Sequence, residues 1–418
     1  MAQQSGQNSD QGAPVAQAAS PEADSDTRRR HKDRRTGKVH DRLRAHVQTE
    51  EAQRQAATSP HAEYLAFKKW LQNDIGLTYQ IQPGAIIQWG GPNGGTSPGQ
   101  FLLSPNADWV MFHNDSIGEG SLQFSYTYNK YWSRPTGASM SNRLNVLSQI
   151  NDSATNTYNF STLTYTHVFP GNVFQISVGQ FGFGNFDGNQ YAGNQLTNFV
   201  NYALAQNGSQ AYVPDSLGGY AQINLTDTIS IVGGAQNANN ITGDKILFNH
   251  VGEGPWAWFL YAQWTPKFSF LPASQSSQYS LLYYEQPAVS LQPFSSQGWS
   301  FNAVQNLDAN WGLFARANHS TGSISQIKTS LAAGVVYNNP FGLHLKDQIG
   351  IGIAQNYTNQ SLLSAPARNS ETVAEAYYNR TFFNLFQVGA NVQVIFNPAL
   401  QPGSGTVGVF TLRIAGLI

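Results

Sequence analysis

The stretch from residue 312 to residue 357, GLFARANHSTGSISQIKTSLAAGVVYNNPFGLHLKDQIGIGIAQNY, has the pattern of three consecutive β-strands. In the first strand Phe314, Arg316 and Asn318 share one face, because successive side chains of a strand point to opposite sides. The opposite face is apolar, and the turns between the strands are polar and contain Gly and Pro. One apolar and one polar face predict a sheet that separates lipid from water.

The composition favours a membrane β-barrel. Only 11% of residues are charged and 12% are aromatic, whereas an ordinary soluble protein has about 25% charged residues. The sequence contains no run of about 18 apolar residues, so we predict no transmembrane helix. The mean hydropathy of −0.35 suits a barrel, in which only every second strand residue needs to be apolar. A soluble β-helix or β-sandwich is the alternative.

The chain has no cysteine, which excludes disulfides and thiolate chemistry. Residues 1–12, MAQQSGQNSDQG, lack the apolar segment of a signal peptide. We therefore expect these residues to begin a mature chain from which a signal has been removed, with Met1 not belonging to that natural chain.

The sequence predicts three segments: a disordered basic arm (1–59), a short amphipathic helix (60–75) and a transmembrane barrel (76–418). The arm lacks hydrophobic periodicity, and 10 of the 23 Lys and Arg residues lie within 28–54. This charge predicts either a solvated tail or a periplasmic arm that binds a polyanion, anionic lipid head groups or another envelope protein. Nothing in it indicates nucleic-acid binding, so we expect no nucleic-acid partner.

We predict an all-β, antiparallel barrel of sixteen strands, an even number as bacterial barrels require. Short turns follow the even-numbered strands, and most long connections follow the odd-numbered ones. This alternation predicts periplasmic termini and outer long loops, with the second strand having the weakest pattern. The predicted strands cover 77–90, 107–115, 120–133, 157–169, 173–181, 217–226, 228–237, 254–267, 278–290, 297–306, 310–320, 327–338, 345–357, 371–383, 386–397 and 406–417.

The longest connection between strands, residues 182–216, carries an apolar stripe. Leu196, Phe199, Val200 and Leu204 recur at helical spacing. Such a stripe needs a surface to pack against, and the lumen wall offers one. We predict that this loop folds inward and narrows the pore, since long structured loops are usually functional. The alternative is an outer cap with no role in permeation.

Few ionisable side chains fall on the predicted lumen faces. Arg316 opposite Glu371 and Glu375 would create a transverse electric field that favours neutral polar solutes. Alternatively, these residues form a salt bridge that braces the wall. Glu285 and Arg380 are further candidates for ionisable residues on the lumen face. Lumen aromatics, Tyr261 among them, could stack on sugar rings or simply line the pore. The full set of predicted pore-lining or substrate residues is Arg316, Glu371, Glu375, Asn318, Phe314, Tyr377, Gln393, Asp187 and Asn189.

No convincing catalytic or metal-binding set is present. The nine His residues are scattered, without a pair at metal-ligand spacing. In the Asn-His-Ser run at 318–320, the last two side chains would face opposite sides of a strand. Asp187, with Asn185 and Asn189, matches only part of a calcium loop. We therefore predict no cofactor, no metal and no enzyme activity.

Four patches follow one another along the chain: AFKKWLQNDIGLTYQIQPGAIIQWGGPNGG (66–95), GQFGFGNFDGNQYAGNQLTNF (179–199), WGLFARANHSTG (311–322), and ETVAEAYYNR (371–380) with VQVIFNPAL (392–400) and FTLRI (410–414). In this order they resemble the carbohydrate-selective porins of the bacterial outer membrane. The resemblance implies a sixteen-stranded barrel, an inward constriction loop, a pore arginine at the position of Arg316, and passive uptake of mono- and oligosaccharides. The chain departs from the family in its Asn/Gln-rich loop and its long basic arm, and it ends in Ile418 where barrels usually end in an aromatic residue.

These observations predict a passive outer-membrane diffusion channel for small polar solutes, namely mono- or oligosaccharides. One alternative is a structural or export-associated barrel whose periplasmic arm binds another envelope component; the other is an outer-membrane hydrolase. The sequence leaves the oligomeric state open, with a homotrimer as one possibility.

Overall fold

The computed structural model describes residues 35–36, 62–93, 95–268, 270, 277–363 and 365–418. Sixteen antiparallel strands form a closed barrel, in which each strand pairs with its neighbour in the chain and the first strand pairs with the last. The strands are β1 Leu77–Gly91, β2 Gly99–Asn114, β3 Gly118–Tyr131, β4 Thr157–Val168, β5 Phe174–Phe181, β6 Ser216–Asn224, β7 Ile229–Asn237, β8 Trp256–Trp264, β9 Gln278–Gln286, β10 Ser296–Asn306, β11 Trp311–Ser320, β12 Ile327–Asn338, β13 Gln348–Thr358, β14 Ser370–Phe382, β15 Phe386–Phe396 and β16 Val407–Gly416.

The helices of the described residues are short. Helix α1, Ala62–Trp70, continues into a π-helical turn, Leu71–Ile75, directly before β1. Helix α2, Gly137–Leu144, lies between β3 and β4, and α3, Tyr202–Ala205, lies between β5 and β6. None of the helices in the described ranges is both long and apolar enough to cross a membrane. In the described part of the chain, 3₁₀ turns cover Pro170–Asn172, Phe183–Phe186, Phe248–His250 and Gln360–Leu362.

The prediction of sixteen strands is confirmed, and β2 is the strand whose predicted start lies furthest from the observed one. It was predicted from residue 107 and begins at Gly99. Pro105 is typical of a strand break, because proline has no N–H to donate to a ladder. In the barrel Pro105 nevertheless pairs with Ile81 of β1, and the same ladder contains Pro83 opposite Leu103. Of the predicted arm, 1–59, only Arg35 and Thr36 fall among the described residues.

The outer surface is apolar, as a lipid-facing band requires. In β8 the buried Phe259 and Tyr261 alternate with exposed residues, of which Leu260 is 52% exposed. Trp256 and Trp264 lie exposed at the two ends of this strand. Aromatic residues at both ends of an apolar band are the arrangement found in transmembrane barrels.

The two ends of the barrel differ in the length of their connections. One end, which we call the short-turn end, carries tight turns such as residues 115–117 and 383–385. The connection 265–277 at this end is longer. The other, the long-loop end, carries the connections 132–156 and 182–215. The chain enters β1 at the short-turn end, so α1 precedes the barrel there.

The outward face of β13 predicts a clear effect on stability. Ile353 is 52% exposed near the middle of that strand. Replacement Ile353→Arg is expected to destabilise the barrel in lipid vesicles by about 2–4 kcal/mol, the cost of a lipid-facing charge near the bilayer midplane. Equilibrium urea unfolding measures this cost, and Ile353→Leu is the matched control. Equal stability of the two variants would show that this face does not contact lipid.

Candidate functional site

Residues 182–215, the connection between β5 and β6, fold into the barrel. The segment starts in a 3₁₀ turn that buries Phe183 and Phe186 against the inward face of β8. The ring of Phe186 stacks on Phe259 with centroids 4.7 Å apart, and Phe183 lies 4.8 Å from the same ring. Such aromatic contacts fasten the first turn of the loop to the wall. The start of the loop therefore packs on the inward face of the wall, and the narrowing of the pore by this loop stays a prediction.

The tip of the loop reaches the short-turn end of the barrel. Gln190 Nε2 donates to Asn306 Oδ1 at 3.0 Å, and the Tyr191 hydroxyl donates to the same oxygen at 2.5 Å. Asn306 is the last residue of β10. Asn198 Nδ2 donates to Oε1 of Gln348, the first residue of β13, at 3.1 Å. Since the loop starts at the long-loop end, it spans almost the whole depth of this side of the lumen.

Inward-facing glycines on the strands make room for the loop. A Cβ atom on Gly312 would lie 2.2 Å from the Tyr191 hydroxyl oxygen, and one on Gly84 would lie 2.4 Å from a methyl of Leu196. Both distances are far below van der Waals contact, so a side chain at either position would displace the loop. Glycines at alternating inward positions of strands thus indicate that a loop packs on the wall. This signal was not used in the prediction of the infolded loop.

Glu375 holds the middle of the loop. Its two carboxylate oxygens accept the backbone N–H groups of Val200 at 2.6 Å and Asn201 at 2.8 Å. The adjacent Phe199 packs between Phe314, with centroids 5.2 Å apart, and Tyr377, with centroids 4.9 Å apart. Hydrogen bonds to an ionised acceptor are among the strongest available to a protein. The carboxylate and the aromatic pocket together fix residues 199–201 against the wall.

Glu371 holds a second inward loop, residues 132–156, through the same kind of hydrogen bond. Its carboxylate accepts the backbone N–H groups of Leu147 at 2.7 Å, Ser148 at 2.9 Å and Ala399 at 3.2 Å. The Ser148 hydroxyl then donates to Asn201 Oδ1 at 2.8 Å. The two loops are therefore joined to each other as well as to β14.

Arg316 and Asp187 fasten the loop to β10 and β11. Arg316 Nε donates to Asn302 Oδ1 at 2.8 Å, and its guanidinium also donates to the backbone carbonyl of Gln206. Asp187 Oδ1 accepts from the Ser300 hydroxyl at 2.6 Å. The side chains of Arg316 and Asp187 thus bridge wall and loop.

The structure corrects the role that the sequence suggested for the predicted pore-lining residues. Seven of the nine lie on the inward face of the wall, but each is at most 4% exposed, because the loops pack on them. They support the constriction instead of facing open channel, and any contact with a solute stays a prediction. Of the two loop residues, Asp187 is 1% exposed and Asn189 is partly exposed. The seven wall residues are Phe314, Arg316, Asn318, Glu371, Glu375, Tyr377 and Gln393.

Two of the further candidates were assigned to the wrong face. Glu285 accepts a hydrogen bond from the exposed indole of Trp258, so it points outward. Arg380 follows the fully buried, inward Asn379 and pairs with Asp347 at 2.5 Å. Alternation is unbroken in both strands, so counting from the buried Tyr284 and Tyr377 would have placed Glu285 and Arg380 outward.

Arg413 of β16 is a supporting residue that the sequence reading missed. Its guanidinium donates to the backbone carbonyl of Gln195 at 2.7 Å and to that of Asn198, and it is 3% exposed. Alternation in this strand could have found it, because the apolar Leu412 and Ile414 on either side of it point outward and are 43% and 46% exposed.

The residues considered for catalysis or metal binding do not come together. Asn318 is buried on the inward face, whereas His319 Nδ1 lies 2.8 Å from the Thr329 hydroxyl on the other face. Asp187 is occupied by hydrogen bonds to protein groups. Within the ranges that the structure describes, no three His, Cys, Asp or Glu side chains form a group that could hold a metal.

Opposite the packed side, polar side chains remain partly exposed between the loop and the wall of β3 and β4. The Thr127 and Ser161 hydroxyls lie 3.3 Å apart on that wall. From the loop, Asn185 Nδ2 donates to Thr162 Oγ1 at 2.8 Å. The partly exposed groups are Thr127, Asp152, Asn159, Ser161, Asn185 and Gln206. This side of the constriction is hydrophilic and carries little charge.

Comparison with known proteins assigns the chain to a family. The sequence pattern of the family described as "Carbohydrate-selective porin, OprB family" matches residues 121–416. The chain belongs to this family. As a member, this porin is an outer-membrane diffusion channel for sugars.

Named relatives and a solved structure agree with this assignment. The porin is 31% identical to Porin AaxA of Chlamydia pneumoniae over 316 residues, which are 75% of this chain and 71% of the relative. It is 28% identical to Porin AaxA of Chlamydia muridarum over 370 residues, covering 83% and 79% of the two chains. The high-pH structure of Pseudomonas putida OprB matches with a TM-score of 0.67 at 18% identity, covering 87% of this chain and 99% of that one. The similarity to this solved structure shows that the two chains share a fold.

The Glu375 anchor predicts a local change in dynamics. Replacement Glu375→Gln removes the charge and one acceptor from the N–H groups of residues 200 and 201. Leaving a buried donor unpaired costs about 1–3 kcal/mol, so we expect hydrogen exchange of a peptide covering 196–206 to accelerate. Mass spectrometry measures this, with Glu285→Gln on the outer face as the control. Unchanged exchange in the Glu375 variant would mean that the carboxylate does not hold the loop.

Proposed function

We propose that sugars cross this porin between the infolded loop and the wall formed by β3 and β4. The observation that carries the proposal is the asymmetry of the lumen. The loop packs tightly on the wall from β8 to β16 and on β1. Its contacts with β4 leave Thr127, Asn159 and Ser161 partly exposed. A solute moves past groups that water can reach, so the exposed side is the better candidate for the path.

The chemistry of this side suits neutral, hydroxyl-bearing solutes. Thr127 and Ser161 can each donate and accept a hydrogen bond, as can the carboxamides of Asn159 and Asn185. Asp152 is the acid among the partly exposed groups, and Gln206 Nε2 donates to it at 2.9 Å. Passage requires binding that is favourable but weak. Neutral donors and acceptors meet this need, because they replace a sugar's hydrogen bonds to water without the strong attraction of a full charge.

We further propose that the short-turn end faces the periplasm, as in other bacterial barrels. Asn189 and Gln190 at the loop tip would then lie near the periplasmic exit. In this proposal Arg316, Glu371 and Glu375 act on permeation by fixing the loop, and the porin has no enzymatic role. A homotrimer and a periplasmic partner of the arm stay predictions.

A bulky side chain on the proposed path tests it. Thr127→Trp is expected to lower single-channel conductance and the rate of glucose-driven liposome swelling on the order of twofold or more, because an indole obstructs a constriction that sugars must cross. The matched control is Tyr128→Trp, since residue 128 is the next one along β3 and faces outward.

The two variants distinguish the path from general damage to the barrel. Equal conductance and swelling for Thr127→Trp and Tyr128→Trp would place the path elsewhere. A stable pore whose current no sugar reduces, in the unmodified protein, would contradict sugar passage itself.

A further inference from the structure

Helix α1 lies against the outer side of the barrel. The Tyr79 hydroxyl donates to the Tyr64 hydroxyl of the helix at 3.2 Å. Lys68 Nζ lies 5.1 Å from the centroid of the Tyr79 ring and 5.7 Å from that of Tyr64. Tyr79 is on the outward side of β1, because Gln82 and the even positions that follow it are buried inward, whereas Ile81 is exposed. A cation over two aromatic rings therefore attaches α1 to the outward face.

The π-helical turn after α1 is attached to the same face. Trp109 Nε1 donates to the backbone carbonyl of Ile75 at 3.1 Å. Trp109 pairs with Leu77 of β1 and is exposed on the outward side of β2, since Asp108 and Val110 on either side of it are buried. An exposed tryptophan near one end of an apolar wall belongs to the aromatic girdle of a transmembrane barrel. The turn therefore lies at the level of the girdle at the short-turn end.

The free side of α1 has an aromatic edge and a basic edge. Phe67 and Trp70 are each 48% exposed, and their rings stack with centroids 5.8 Å apart. Lys69 is exposed as well. At about 100° per residue, Phe67 and Lys69 point about 200° apart around the helix axis. Adjoining large apolar rings at the surface indicate a contact with something other than water.

We propose that α1 is an interfacial anchor whose Phe67 and Trp70 insert between the lipids of the leaflet at the short-turn end. Lipid is the occupant that the surroundings favour, because the helix and its following turn are both attached to the outward face, beside the girdle residue Trp109. Aromatic rings are stable at the head-group level, where the ring leaves water and the indole N–H keeps a polar partner. Lys69, on the opposite edge, then faces water.

Nitroxide labels on single cysteines test which edge contacts lipid, since the chain has no cysteine of its own. The full-length barrel is reconstituted into phospholipid vesicles. A label at Phe67→Cys is expected to collide more with molecular oxygen, which dissolves preferentially in lipid, than with a water-soluble nickel complex. A label at Lys69→Cys is the matched control, and its preference is expected to be the opposite.

Two outcomes of the labelling would overturn the anchor. A label at position 67 that prefers the nickel complex as strongly as the label at position 69 would show that both edges face water. A label at position 67 that is shielded from both reagents would show that protein, such as a second copy of the chain, covers the aromatic edge.

A second measurement needs no label on the helix. Hydrogen exchange of a peptide covering residues 62–75 is followed in the same vesicles. We expect exchange in the Phe67→Ser/Trp70→Ser double variant to be faster than in the unmodified protein on the order of tenfold, because the helix loses the apolar contact that holds it. Lys69→Ser, on the basic edge, is the matched control. Equal exchange in all of these proteins would contradict the proposal, and neither measurement depends on the solute path.

Discussion

The lumen of this porin depends on carboxylates that accept backbone N–H groups from infolded loops. A loop inside a barrel carries polar backbone groups that must find partners away from bulk water. Glu375 satisfies two of these groups in the 182–215 loop, and Glu371 satisfies two in the 132–156 loop and one at Ala399. Because each carboxylate ties consecutive residues, it fixes the direction of the chain as well as its position.

The rest of the interior follows from where these anchors lie. Both acids belong to β14, so the loops are drawn to that side of the barrel. Glycines such as Gly84 and Gly312 then let loop side chains approach the wall closely. The side formed by β3 and β4 carries Thr127 and Ser161, which the loop leaves partly exposed. As a consequence, the supports of the loop lie on one side of the lumen, and the partly exposed polar groups lie on the other.

Much of the fold could be predicted from the sequence, because strand alternation is a local pattern. It placed Phe314, Arg316 and Asn318 on the inward face, and the loop's apolar stripe indicated that the loop folds inward. The pattern did not reveal what the inward residues contact. Glu375 and Val200 are 175 positions apart, and no local spacing links a strand carboxylate to a loop backbone.

The long sequence distance between contacting residues also explains why Arg413 was missed and why Arg35 was given the wrong partners. Arg413 was not predicted as a site residue, because its carbonyl partners lie in a loop more than 200 residues earlier. Arg35 was assigned to an arm with external partners, whereas its guanidinium donates to Ser121 Oγ on the inner wall. The composition of the arm shows its charge but not which residues it contacts. Local patterns thus indicate which side of the wall a residue faces, and long-range packing decides its role.

The loop between β5 and β6 descends through the lumen to the short-turn end. The distance between two spin labels, one at Gln190→Cys in the loop tip and one at Leu307→Cys in the turn after β10, measures this position. Gln190 bonds to Asn306 beside that turn, so we expect a separation below about 20 Å, within one side of the barrel. A separation of about 25 Å or more, the height of a barrel's apolar band, would mean that the loop caps the outer mouth instead of descending into the lumen.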